Sequence, residues 1–350
     1  MSQFTPITDF DGSRNAHGQQ ARVEDTRQAA EGFRECMLAG PKVRYFRSFD
    51  LVRLPYPSRY GLRNAFSREK WVEYIHIQNR LFVVQFDTPE GIKTLLVSPS
   101  DHERGGETPF FRRLQDNMPQ MIIDRVALRQ NTVPQVVASL GLKPEDIDYI
   151  TYDHLHTQDV RRWLGTAEEP AIFPNAKLLV HWQEWASTLD LNPYQADWYC
   201  PNAIAGIPQE KVIQFAGSIM LGDGVALIHT PGHTEGNHSI VVNTDEGLWV
   251  TSENGVSVDS YAPQFSAASG VAAYAKAIGT EVIINGNTLE NSVDQYISMV
   301  QEKTIAGPSQ RDPRFPNVFP SSEMTPFWAF PGAKPAFYVG EARHGALHIP

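Results

Sequence analysis

The stretch that most limits how this chain can fold is Ile147-Asp148-Tyr149-Ile150-Thr151-Tyr152-Asp153-His154-Leu155-His156. Its first part is a strand-like run, and it stops at two histidines with one residue between them. Alternate side chains of an extended segment share a face, so both imidazoles can turn toward one ion. Two later segments repeat the arrangement. Leu227-Ile228-His229 runs into Thr230-Pro231-Gly232-His233-Thr234-Glu235-Gly236-Asn237-His238, where a Pro-Gly turn carries a histidine. Leu248-Trp249-Val250-Thr251 runs into Ser252-Glu253-Asn254-Gly255 and delivers a carboxylate. Each of these segments is a strand-like run that ends on metal-ligand side chains, so the chain is expected to be built on sheet.

The rest of the chain supplies such a scaffold. Strands are expected at Tyr74–Ile77, Arg80–Phe86 and Ile92–Val97, the last two joined by the turn Thr88-Pro89-Glu90-Gly91. Further strands are expected at Ile147–Tyr152, Lys177–His181, Val225–His229, Ser239–Val242 and Glu281–Ile284. Helices are expected over 131–141, stopped by Gly141, around Glu184-Trp185, and in the alanine-rich stretch 267–278. Hairpins with helices between them predict a layered α/β protein. Residues 1–40 read as a polar N-terminal arm, loosely ordered through residue 30. Residues 41–306 read as the main domain. Residues 307–350 read as an irregular extension, rich in proline and aromatics, packed on that domain.

Composition narrows the function. The chain has 350 residues, 41% hydrophobic, enough to bury a large core, and a formal net charge of −10. That balance, with no basic run, argues against nucleic acid. Cys36 and Cys200 are the two cysteines, too few for a disulfide framework or a cysteine-rich zinc module. The N-terminus lacks an apolar core of a secretory signal, and no apolar run is long enough for a membrane span. A cytoplasmic protein acting on a small molecule is the expectation, with a homodimer as the candidate assembly.

The three metal-type segments resemble, in order, those of the metallo-β-lactamase superfamily, and within it the quorum-quenching lactonases and related hydrolases. HTPGHTEGNHS is similar to that family's TPGHTxG signature. PEDIDYI followed by HLH resembles the lead-in to its HxHxDH motif. PNAKLLVHWQEW resembles the segment the lactonases carry between the two motifs, and RLFVVQFDTPEGIKTLLVSPS resembles their opening strands. The resemblance spans roughly residues 70–300 and implies a four-layer αββα sandwich with a metal site at the sheet edges. It places the first-site histidines on His154, His156 and His233, and the bridging carboxylate on Glu253. At the second site it meets Gln158, Asp159 and Asn287, of which only Asp159 is a good ligand. One intact metal site with an altered second one is therefore expected. Zinc fits first, with iron or manganese as other ions of the same ligand set. A zinc-bound water near a pKa of about 7 would be the nucleophile, and Glu253 or Asp159 would hold or deprotonate it. Gln158 can orient a water but cannot take its proton.

The expected activity is metal-dependent hydrolysis of a small ester, lactone or amide. Two other readings use the same residues: a mononuclear non-haem iron oxygenase built on His154, His233 and Glu253, and an inactive binding protein. Asp153 is either a partner for a histidine N–H, or a group that reaches the metal itself, or a strand-end cap. His238 is read as supporting or structural, His229 and His181 as packing, His344 and His348 as surface, and His102 as a loop residue near the site. Asn192–Tyr199 and Thr325–Phe330 are aromatic segments read as pocket wall or packing.

Overall fold

A computed structural model describes residues 4–63, 65, 72–117, 119–287 and 291–350. The chain divides into two compact units, each drawn from separated stretches of sequence. The first takes Met1–Val43, Pro55–Gln78 and Gly217–Gly340; the second takes Arg44–Leu54, Asn79–Ala216 and Glu341–Pro350.

The first unit carries an antiparallel sheet ordered Thr5–Ile7, Ser218–Gly222, Val225–His229, His238–Thr244, Gly247–Thr251. Its central strands lie where their apolar runs predict them. Two helices pack on each other, Gln19–Ala39 and Ser292–Ala306. Val23, Ala30, Phe33 and Met37 from one and Ile297, Val300 and Ile305 from the other join Ala226, Ile228, Val241 and Val250 in one core. The N-terminal segment is thus not loosely ordered beyond residue 19. Its few apolar residues recur at helical spacing, and that narrow stripe is what the core takes up. The run Glu281–Ile284 is likewise not a strand. Val282, Ile283 and Ile284 are buried, but Ile283 N–H bonds to Ser260 at 2.7 Å as irregular chain. A short apolar run cannot by itself distinguish these outcomes.

The second unit carries most of a mixed sheet ordered Arg343–Gly345, Tyr45–Pro57, Tyr74–Thr88, Gly91–Val97, Tyr149–Thr151, Lys177–His181, Val212–Phe215. The expected hairpin is present, and its turn places Gly91 at φ +118°, a conformation suited to glycine. Two predicted strands merge into the single strand Tyr74–Thr88. From Gly91–Val97 onward the neighbours are parallel. Tyr149–Thr151 lies inside this parallel set, so the residues that leave its carboxyl end emerge where open α/β sheets place their ligands. The helix Val133–Ser139 starts on a Thr132 capping box and is followed by Gly141 at φ +76°. Beyond residue 307 the chain is mostly irregular, with two short strands, Ser322–Thr325 and Arg343–Gly345.

Candidate metal centre

The strand Tyr149–Thr151 ends and the next five residues, Tyr152 to His156, are all buried. The His154 and His156 rings stand edge to face, 4.7 Å between centroids and 87° between planes. Asp153 Oδ2 lies 3.4 Å from His154 Nδ1, which favours its reading as a histidine partner. Burial and the neighbouring His154 hold His156 well below the ordinary histidine range, so it is a neutral imidazole. Neutral is the form that can ligate a metal. The backbone here has left the sheet ladder, and other groups satisfy it. Leu155 N–H donates to Glu184 Oε1 at 2.8 Å, and Thr157 N–H to the Trp198 carbonyl at 2.8 Å. His156 forms a bridge with Tyr199, and its Nε2 lies 2.8 Å from Gln195 Oε1. Thr157 follows at φ +60°, a strained conformation for a β-branched residue. Gly105 presses on the same turn, and a Cβ there would sit 2.6 Å from the Thr157 carbonyl.

Asp159 sits in an ion pair that the sequence alone does not indicate. Its buried carboxylate takes the Arg161 Nε at 3.1 Å and backbone N–H at 3.0 Å, with Arg104 Nη1 at 3.6 Å. Its hydrogen bonds are to Arg161, with Arg104 standing near as a second cation. Gln158 is buried and tied back by its own N–H to the Leu155 carbonyl at 3.2 Å.

In the first unit, the loop from Thr230 to Asn237 closes the hairpin of Val225–His229 and His238–Thr244. Thr230 N–H donates to the Asn237 carbonyl at 3.0 Å, and Asn237 Nδ2 returns a bond to the Thr230 carbonyl at 2.9 Å. Gly232 has φ +139°, and a Cβ on it would lie 2.1 Å from the Gln295 backbone nitrogen. The turn carrying His233 therefore sits directly on the helix Ser292–Ala306. His233 N–H donates to Asn254 Oδ1 at 3.2 Å. Asn254 Nδ2 donates to Glu302 Oε1 at 2.7 Å, and Ser239 and Tyr261 donate to the same carboxylate at 2.8 and 2.7 Å. Burial raises the Glu302 pKa, and these four donors, Ser252 included, pull it back. Glu302, Asn254 and Tyr261 escaped the sequence reading. A charged residue inside an otherwise amphipathic helix was the available signal.

Glu253 is half-buried, with Ser321 Oγ 3.3 Å from its Oε2. Burial, then the nearby Glu253 carboxylate, push the Tyr56 hydroxyl well above its ordinary range. Asn287 N–H donates to Asn285 Oδ1 at 3.3 Å. His238 is fully buried opposite His229 in the hairpin register. His181 is buried and caps the helix Trp182–Leu189 through its Nδ1. His102 starts the short helix His102–Gly105, His344 pairs with Phe46 in a strand, and His348 is exposed. Phe327 stacks on His76 at 4.0 Å while Trp328 is 85% exposed, so that segment is partly packing and partly surface. Trp198 is buried 4.4 Å from Phe110, and Tyr194 is 84% exposed.

No family model matches the chain. An N-acyl homoserine lactonase of Bacillus sp is 27% identical over 117 residues, which is 33% of this chain and 41% of that protein. The one from Bacillus cereus is 26% identical over the same shares. The match thus spans about two fifths of these relatives. Among solved structures, a quorum-quenching N-acyl homoserine lactone hydrolase superposes with a TM-score of 0.51 at 15% identity, over 81% of this chain and 94% of that one. AidC, a dizinc quorum-quenching lactonase, gives a TM-score of 0.51 at 12% identity over 89% and 98%. The fold is the metallo-β-lactamase-type α/β sandwich that these structures share. In sequence the chain is similar to the N-acyl homoserine lactonases. No described helix is long and apolar enough to cross a membrane.

Proposed function

We propose that this chain is a metal-dependent hydrolase of a small lactone, ester or amide, with its ion held by His154, His156, His233 and Glu253. The observation that carries the reading is the donor set. His154 and His156 are buried with ring centroids 4.7 Å apart, and in the other unit His233 is buried on its turn and Glu253 is half-buried at its strand end. Imidazoles with one carboxylate suit zinc first, and Fe²⁺ or Mn²⁺ second. Such an ion, when bound, lowers the pKa of a water and polarises a carbonyl.

The residues then divide the work. The three histidines bind. Asp153 orients His154. Glu253 is the carboxylate left to accept a proton, because Asp159 is committed to Arg161. Gln158 can orient a polar group through its amide but cannot carry its proton. Gln158 and Asn287 are neutral where a second ion would need charge, so one ion per chain is the proposed stoichiometry. The relatives are N-acyl homoserine lactonases, which makes those lactones the first substrates to try.

Elemental analysis of protein purified without added metal tests this, beside His154→Ala and His233→Ala. One zinc per chain, lost in both variants together with lactone hydrolysis, is the expected result. Iron at that stoichiometry would redirect the reading to oxygen chemistry. No metal after reconstitution would overturn it.

A further inference from the structure

We infer that Glu184 is a positioning residue for the two histidines of the His154-Leu155-His156 segment, acting through the backbone rather than on a substrate. The inference rests on the metal-site reading above.

The argument begins with one N–H group. Leu155 is buried, and the chain around it runs outside any strand ladder. A buried backbone donor needs a partner. Here it finds a side chain, Glu184 Oε1, at 2.8 Å. Glu184 is itself 1% exposed and lies in the first turn of the helix Trp182–Leu189. A carboxylate is favoured at that end of a helix. The same oxygen accepts the Tyr199 hydroxyl at 2.9 Å. Tyr199 is also the residue whose backbone bridges to His156. Glu184 therefore holds the residue between the histidines and the residue beside them. The Leu155 N–H lies in the peptide joining His154 to Leu155, so Glu184 fixes the plane from which His154 departs, and through Tyr199, whose backbone bridges to His156, it bears on the second histidine. Gln195, at 2.8 Å from His156 Nε2, acts one step later, on a ring already aimed.

The geometry makes reach, not charge, the decisive property. Glu184→Gln keeps an oxygen acceptor at the same length and removes the charge. Glu184→Asp keeps the charge and withdraws the acceptor by one methylene. Apo-protein of the full chain, wild type and both variants, is titrated with Co²⁺ alone. Visible absorption reports affinity and ligand geometry, and thermal unfolding of the apo-proteins reports folding. The expected result is that Glu184→Gln binds within about twofold of wild type with the same spectrum. Glu184→Asp is expected to bind about 10-fold to 100-fold more weakly, the range for residues that orient ligands, with an altered spectrum.

The inference is overturned if Glu184→Asp binds like wild type. It is also overturned if Glu184→Gln falls as far as Glu184→Asp, since charge would then be the operative property. An Asp variant that fails to fold beside a folded, binding Gln variant overturns it too, because the grip would then serve the fold and not the rings. Failure of the metal-site reading looks different: wild type and both variants alike would take up no Co²⁺.

Discussion

At the scale of single residues, the most instructive is Asp159. In sequence it stands within a motif where a carboxylate ligates or activates water, and nothing there distinguishes that role from an ion pair. The deciding partner is only two residues away, but whether Arg161 folds back or turns out depends on the buried turn after His156. Asp159→Asn is expected to break the buried end of the pair with Arg161 and to destabilise the protein by about 3 kcal/mol, the cost of leaving Arg161 without its carboxylate. Metal content per folded chain should stay at the wild-type value. Urea unfolding paired with elemental analysis reads both quantities. A variant of unchanged stability that loses activity by orders of magnitude would return Asp159 to the catalytic machinery.

At the scale of elements, the turn carrying His233 depends on what it sits against. Gly232→Ala places a methyl group into the Gln295 backbone at a φ that side chains rarely adopt. The expected outcome is a shift of the turn away from the helix Ser292–Ala306 and loss of the bound metal, with the core of the other unit intact by hydrogen exchange. Retention of full metal content would show that the turn is not seated this way. This dependence also marks what sequence can and cannot show. Lys177–His181 and Val225–His229 form where their apolar runs predict them because each finds a sheet neighbour, whereas the equally buried run at Glu281–Ile284 finds none among the described residues and stays irregular. The strand ends that carry His154, His156, His233 and Glu253 were legible because each follows an apolar run. The helix Gln19–Ala39 was not. Its stripe of Val23, Ala30, Phe33 and Met37 is thin among long polar side chains, and its value appears only once Ile297 and Val300 are opposite. Glu184, Glu302 and Asn254 were hidden for the same reason: each satisfies a polar group that exists only after the chain has folded.

At the scale of the whole molecule, stability is coupled to protons and to the ion. Burial holds the His229 imidazole down to about 4 from an ordinary value of 6.5. The unfolded chain gains a proton in that interval that the folded chain refuses, so stability is full above pH 6.5 and is lost as pH falls toward 4. Glu302 and Asp259 oppose this. Their pKa values are raised by burial, so folding favours their protonated forms and gains as pH falls. In apo-protein, His229→Asn is therefore expected to flatten the loss of urea midpoint between pH 6.5 and 4, and equal slopes in variant and wild type would remove His229 from the account. The ion adds a second linkage. A metal that binds only the folded chain stabilises it in proportion to the logarithm of its free concentration. Each ion contributes about 1.4 kcal/mol per tenfold rise in free zinc once the site is filled. A chain with neutral Gln158 and Asn287 at the second position should show the slope of one ion, and a dinuclear site twice that slope. Unfolding free energy measured against buffered free zinc separates the two directly. A slope near 1.4 kcal/mol per decade sustains the mononuclear centre, about 2.8 kcal/mol would require a rebuilt second site, and a slope of zero would mean that folding and metal binding are not linked at all.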